Sequence, residues 1–107
     1  MGLGVGSSNN LQPIGALTAQ VNFDPAAVLD FQVDWSNWLG SDTILTSEWT
    51  LAAPMTQPFG DQHNATTATI WVTGGNAGTT AKAVNHIVTA GGRQEDGTLL
   101  FNILSTF

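Results

Sequence analysis

Val28-Leu29-Asp30-Phe31-Gln32-Val33-Asp34-Trp35 is the stretch that decides the fold. Leu29, Phe31, Val33 and Trp35 alternate with Asp30, Gln32 and Asp34, the period of two that gives a strand one buried and one wet face. Downstream, Ser36-Asn37-Trp38-Leu39-Gly40-Ser41-Asp42 reads as a turn-rich break. Thr43 to Leu51 then reads as a second strand that Pro54 stops, and Met55 to Phe59 as a short one weakened by Pro58. The β-branched and aromatic run from Thr66 to Thr73 is a further strand, and Gly74-Gly75-Asn76-Ala77-Gly78 turns the chain after it. Thr80 to Thr89 alternates again, with Val84, His86 and Val88 on one face. Thr89-Ala90-Gly91-Gly92-Arg93 then reads as a hairpin into a last strand, Leu99 to Phe107, with Leu99, Phe101, Ile103 and Phe107 inward.

Six or seven short strands with turn signals every 8–12 residues predict an all-β sandwich or barrel. Consecutive hairpins and two early strands carrying tryptophan favour the sandwich. Trp35, Trp49 and Trp71 sit in strand patterns and read as core, each able to bury about 150–250 Å². Trp38 lies between turn residues and is read as either core or a partner contact.

Upstream of Val28 the pattern is different. Gly2, Gly4, Gly6, Ser7, Ser8, Asn9, Asn10, Pro13 and Gly15 break up any period, while Leu3, Val5, Leu11, Ile14, Leu17, Val21 and Phe23 make the segment too apolar for a free linker. The expected organisation is an extended N-terminal arm over residues 1–27 and a β-sandwich domain over 28–107. The arm is expected either to lie along its own domain or to dock on a neighbour; fully extended it spans roughly 90 Å, enough to reach a neighbouring subunit.

Composition narrows the function. Of 107 residues, 9% are charged, against an average near 25%, and the formal net charge is −6. Lys82 and Arg93 are the only Lys or Arg, so the basic footprint of a nucleic-acid binder is missing, and an anionic membrane surface would repel the chain. No apolar run reaches the length of a membrane span, and the N-terminus lacks the pattern of a signal peptide. The absence of cysteine leaves the fold to packing alone.

No constellation for catalysis is expected. His63 and His86 have no sequence neighbours that would complete a metal site or an acid–base pair. Asp30 and Asp34, on one strand face, would stand about 13 Å apart, too far for a glycosidase pair. Asp24, Asp34 and Asp42 lack the spacing of an EF-hand, and Asp42 reads as a turn residue bonding nearby amides. The glycines at 74, 75 and 78 lack the Lys-Ser/Thr of a phosphate loop. Catalytic, cofactor-binding and metal-binding residues are therefore all expected to be none.

Asp34-Trp35-Ser36-Asn37-Trp38-Leu39, Asp42-Thr43-Ile44 and Trp49-Thr50 resemble the start of small immunoglobulin-like domains encoded among tailed-bacteriophage structural genes. Ala68-Thr69-Ile70-Trp71-Val72, Gly74-Gly75-Asn76-Ala77-Gly78-Thr79 and Ile87-Val88-Thr89-Ala90-Gly91-Gly92-Arg93 continue the likeness, which covers residues 28–104. The resemblance implies an immunoglobulin-like antiparallel β-sandwich in the virion, assembled in the host cytoplasm and without enzymatic activity. Such domains serve as decoration, cement, fibre and tail modules; among these the expected role is a capsid decoration or cement protein that binds the major capsid protein or other virion proteins and forms a homo-oligomer. A tail, connector or fibre module, or a carbohydrate- or host-surface-binding domain, is the alternative. The expected partner-binding residues are Leu11, Ile14, Leu17 and Phe23 of the arm, together with Trp38. Ala81 stands where similar domains often carry an aromatic, and with no tyrosine in the chain a tyrosine corner is excluded.

Overall fold

Each strand of this chain has an apolar face to hide, and two such faces packed together form the core. The computed structural model describes residues 4–5, 12–15 and 18–104. In chain order its elements are β1 (Gly4–Val5), β2 (Gln12–Gly15), β3 (Thr18–Phe23), β4 (Val28–Asp34), a single helical turn α1 (Ser36–Leu39), β5 (Ile44–Leu51), β6 (Gln62–His63), β7 (Thr67–Thr73), β8 (Thr80–Thr89) and β9 (Gln94–Ile103). A four-stranded sheet runs β1-β4-β7-β6 and a five-stranded sheet runs β2-β3-β9-β8-β5. The two pack face to face as a sandwich.

The expected alternation of β4 is realised. Phe31 and Val33 are fully buried, while Asp30, Gln32 and Asp34 point outward, in antiparallel register with β7. Trp35 continues the inward side and is fully buried. The hairpin through Gly91-Gly92 pairs β8 with β9, but β9 starts at Gln94, five residues earlier than the sequence suggests. Polar Gln94, Asp96 and Thr98 hide that part of the strand from a hydropathy reading, because they occupy its outer face. Small residues of β8 face large ones of β9, Ala83 opposite Leu99 and Ala81 opposite Phe101. The small Ala81 therefore sits beside an aromatic already in place.

At the centre, Phe31 of one sheet meets Phe23 and Phe101 of the other, with ring centroids 5.1–6.1 Å apart and tilted or edge-on geometry. Such pairs contribute about 0.5–1.5 kcal/mol each beyond the area they bury. A second tie is polar. Trp35 Nε1 donates to Asn85 Oδ1 at 2.9 Å, and Asn85 Nδ2 donates to Ser47 Oγ at 2.8 Å and to the Glu48 carbonyl at 3.2 Å. Asn85 is fully buried, so this satisfied network fixes the end of β4 against β8 and β5.

Three sequence expectations need correction. The sandwich is not wholly antiparallel, because β3 runs parallel to β9 over six residue pairs from Thr18–Thr98 to Phe23–Ile103. The composition places residues 18–23 in an extended arm, yet Ala19, Val21 and Phe23 are buried in the core, and the turn Asp24–Ala27 leads directly into β4. The irregular composition before Thr18 concealed a strand of only six residues. The turn-rich break after Trp35 also contains one helical turn, α1. Further upstream, β1 pairs with β4 and β2 with β3, so the described parts of the arm lie on this chain's own sheets.

Candidate interaction surface

The four tryptophans separate into buried and outward positions by strand parity. Trp35 is enclosed. Trp49, opposite Asn85, lies on the inner side of the edge strand β5, and its buried Nε1 has no partner. Trp38 follows on α1, half-buried, its ring meeting Trp35 edge-on at 5.4 Å. Trp71 is the exception to the sequence reading. In β7, Ala68, Ile70 and Val72 are buried, so the alternation turns Trp71 to the outer face with Thr67, Thr69 and Thr73. Aromatic content suggested core for this residue, but its position in the ladder overrides that.

Around Trp71 the outer face of the four-stranded sheet is apolar. Phe59, 56% exposed, approaches the indole at 5.3 Å with the rings at 87°. The chain reaches this position because Thr56 bridges to Thr73 and β6 pairs with Thr69 and Ala68 of β7, so the loop between them passes over Trp71. Asp30 lies directly opposite Trp71 on β4. Val28, 46% exposed, is the diagonal neighbour on the same face, within about 7–8 Å by ladder geometry. Asp34 is on this face, Asp61 stands two residues after Phe59, and Asp24 lies in the turn before β4. Both Lys82 and Arg93 belong to the β8–β9 side, so this half of the surface carries acidic side chains without a lysine or arginine.

The corner at Trp38 has the complementary arrangement. Arg93 stacks over the Trp38 ring at 4.3 Å, donates through Nε to Asp42 Oδ2 at 3.2 Å, and reaches the Leu39 and Trp38 carbonyls at 2.8 and 3.4 Å. It thereby satisfies carbonyls that the end of a helical turn leaves open. Asp42 Oδ1 accepts from the amides of Thr43 and Gly91 at 2.9 and 3.0 Å. Gly91 is needed for this approach, because a Cβ there would come within 2.9 Å of the held carboxylate. The Thr89 hydroxyl, these two amides and Arg93 bring the Asp42 carboxyl down from 3.8 to about 2, against a smaller opposing effect of burial. Asp42 is thus the turn residue the sequence predicts, and its role is to join α1 to the β8–β9 hairpin.

On the outer face of the five-stranded sheet, His86 sits between Asp96, at 2.6 Å from Nδ1, and Gln94, at 3.1 Å from Nε2. The bond to Asp96 is the main reason its pKa is raised, and it outweighs desolvation. No group of three or more metal-ligating side chains is found among the described residues, and none of the described helices is long and apolar enough to cross a membrane.

Of the residues expected to bind partners, Leu11 and Leu17 lie outside the described residues and Ile14 falls within β2. Phe23 is spent in the core, and Trp38 is engaged by Trp35 and Arg93. Sequence reasoning missed Trp71, Phe59 and Asn85. The parity of β7, counted from Ile70 and Val72, carries the signal for Trp71.

A search of curated proteins returns no match. A family model, described as podophage GP4 fiber-tail adaptor protein gp77, matches residues 24–102. It begins at the turn that follows β3 and ends one residue before the end of β9. The description is that of a virion structural adaptor and not of a capsid decoration protein, so the preference for decoration is corrected in favour of a tail-associated role. With 79 of its 107 residues matched (24 through 102), the chain belongs to the Gp77 family of podophage fibre–tail adaptor proteins.

Proposed function

We propose that this chain is a non-enzymatic connector in a podophage tail, a rigid β-sandwich that holds a fibre protein to the tail through its surfaces. The observation that carries the reading is the family match, which spans β4 through β9 and so coincides with the body that organises every outward face described above. A connector must transmit position without deforming, and interlocking aromatics plus a satisfied polar tie suit that task.

The strand order supports an immunoglobulin-like architecture at the finer level. Order β1-β4-β7-β6 corresponds to strands A-B-E-D of such domains and β9-β8-β5 to G-F-C. On that reading β3 is an extra strand seated beside G. The N-terminal segment, through Leu11, Ile14 and Leu17, serves as a second attachment to a virion partner or to another copy of the chain. Phe23 and Trp38 contribute indirectly, by anchoring β3 and the α1 corner.

Phage assembled without this protein tests the role. A connector predicts particles with DNA-filled heads whose tails lack fibres. Fibred particles with fragile heads would instead indicate capsid decoration and would contradict the proposal.

A further inference from the structure

We propose that the free edge of β5 pairs with the same edge of a second copy, joining two molecules through one antiparallel ladder about Trp49. This inference goes beyond the connector reading and does not depend on it.

The strands that end the two sheets are unequal. β1 and β6 have two residues each and β2 has four, Pro13 among them, whereas β5 has eight and pairs on one side only, with β8. Such an edge presents a row of main-chain donors and acceptors that another strand can satisfy. Their positions follow from one bond, in which the Ala52 amide donates to the Lys82 carbonyl at 2.9 Å. Hydrogen-bonded and non-bonded pairs alternate along an antiparallel ladder. Thr46, Glu48 and Thr50 therefore turn their main-chain groups to β8, as Ala52 does, and Ser47, Trp49 and Leu51 turn theirs away. Among the described residues, none bonds to the main chain of these three from the open side.

A second copy fits because this edge is complementary to itself. With a twofold axis at Trp49, Trp49 meets Trp49 of the second copy and Ser47 meets Leu51, a self-matching contact of the kind closed dimers use. Every outward group of the three residues is then used, in about six hydrogen bonds at two per bonded pair. An axis at Ser47 would run the ladder into the irregular register between Ile44 and Thr46, and one at Leu51 would run it into Pro54.

The side chains agree with this register. Trp49 and Leu51 are half-buried at the open end of the core, and the buried Nε1 of Trp49 has no partner, so the core is unfinished at this edge. A second strand covers both side chains. On the outer face Glu48 falls opposite Thr50 of the second copy, so the two glutamates are not placed directly against each other. Lys82 and Arg93 also lie on this side of the molecule, with Asp42 and Glu48, so the approaching surfaces are of mixed sign. A twofold axis normal to the sheet leaves its faces in place, so the pair presents two Trp71 faces in the same direction, an arrangement that adds avidity to any contact made there.

The experiment is sedimentation velocity of the full-length chain, from micromolar to near-millimolar concentration, combined with amide hydrogen exchange. The expected result is a monomer–dimer equilibrium. Thr50→Lys places a lysine opposite Glu48 twice in each dimer and tightens it severalfold, while Thr50→Glu weakens it severalfold. Asn22→Lys and Asn22→Glu make the same charge changes at an exposed position of β3 and leave the equilibrium unaltered. The amides of Ser47, Trp49 and Leu51 are protected at high concentration and exchange rapidly on dilution, while those of Glu48 and Thr50 stay protected throughout. Far-UV circular dichroism and urea midpoints establish that each variant folds. A chain that stays monomeric across the range overturns the proposal, and so does a dimer on which the two Thr50 variants act no differently from the Asn22 variants. Protection of the three outward amides that appears only when the fibre or tail protein is added also overturns it, in favour of a foreign strand. Fibre loss from particles assembled without the protein is scored separately, so the connector reading and the paired edge can each fail alone.

Discussion

The corner at Trp38 and the face at Trp71 each set an indole near an aspartate, but only at the first does an arginine lie over the ring. At the corner, Arg93 covers the indole and neutralises Asp42, so aromatic and acid become part of the scaffold. On the β4–β7 face, Trp71 is half-buried, lies opposite Asp30 and meets exposed Phe59 edge-on. The difference shows that residue type does not assign an aromatic to core or interface. Strand parity and the reach of a neighbouring cation do so.

The comparison breaks most visibly at Trp35, which supports the closed corner. Trp35→Ala removes a fully buried ring and leaves Asn85 without its donor, so a loss of about 3–5 kcal/mol is expected from urea denaturation. For a domain whose total stability is about 5–15 kcal/mol, that brings the fold near its limit. Asn85→Ala strands the Trp35 indole N–H and the groups of β5 it served, at an expected cost of about 1–3 kcal/mol by the same measurement.

Arg93→Ala should cost less, about 1 kcal/mol, because the guanidinium is 45% exposed and stacks at a surface site. The corner also has an acid signature. Asp42 titrates at about 2 in the folded chain against 3.8 ordinarily, so its contribution is complete above pH 3.8 and is lost as pH falls toward 2. Asp42→Asn should therefore flatten the acid limb of a stability-versus-pH curve. The His86–Asp96 pair behaves in the opposite sense. Its raised pKa means the contribution is full below the ordinary 6.5 and disappears as pH rises through the folded value. An NMR titration of the His86 ring should show this raised value, and Asp96→Asn should return it toward 6.5.

A stability effect well below that of Trp35→Ala is expected at the outer face. Trp71→Ala removes a half-buried ring and its edge-on pair with Phe59, and should shift the urea midpoint by an equivalent of about 0.5–1.5 kcal/mol. A loss comparable to that of Trp35→Ala would mean that Trp71 belongs to the scaffold after all, and the contrast between the two regions would collapse.

Much of the fold is legible in the sequence, because one-sided strands declare themselves by alternation. Strand β4, strand β8 and the hairpin at Gly91-Gly92 follow directly from it. Strand β3 is obscured by its brevity and by the glycines, serines and asparagines that precede it, and parallel pairing with β9 is a long-range choice with no local signature. The start of β9 is hidden because Gln94 and Asp96 are outward residues that resemble a loop. The interaction face was the harder part. Trp71 lies in a β-branched run that propensity assigns to core, and Phe59 gains its position only through the bridge from Thr56 to Thr73. Asn85 could be found from parity, since it shares its face of β8 with Ala81, Ala83 and Ile87.

The most direct measurement places a photo-crosslinking amino acid at position 59, at position 71 or, as a control, at position 45, and irradiates assembled phage. Crosslinks from 59 and 71 to a fibre or tail protein are the predicted result. Crosslinks to those proteins from position 45 alone, or to the capsid from any position, would contradict the account.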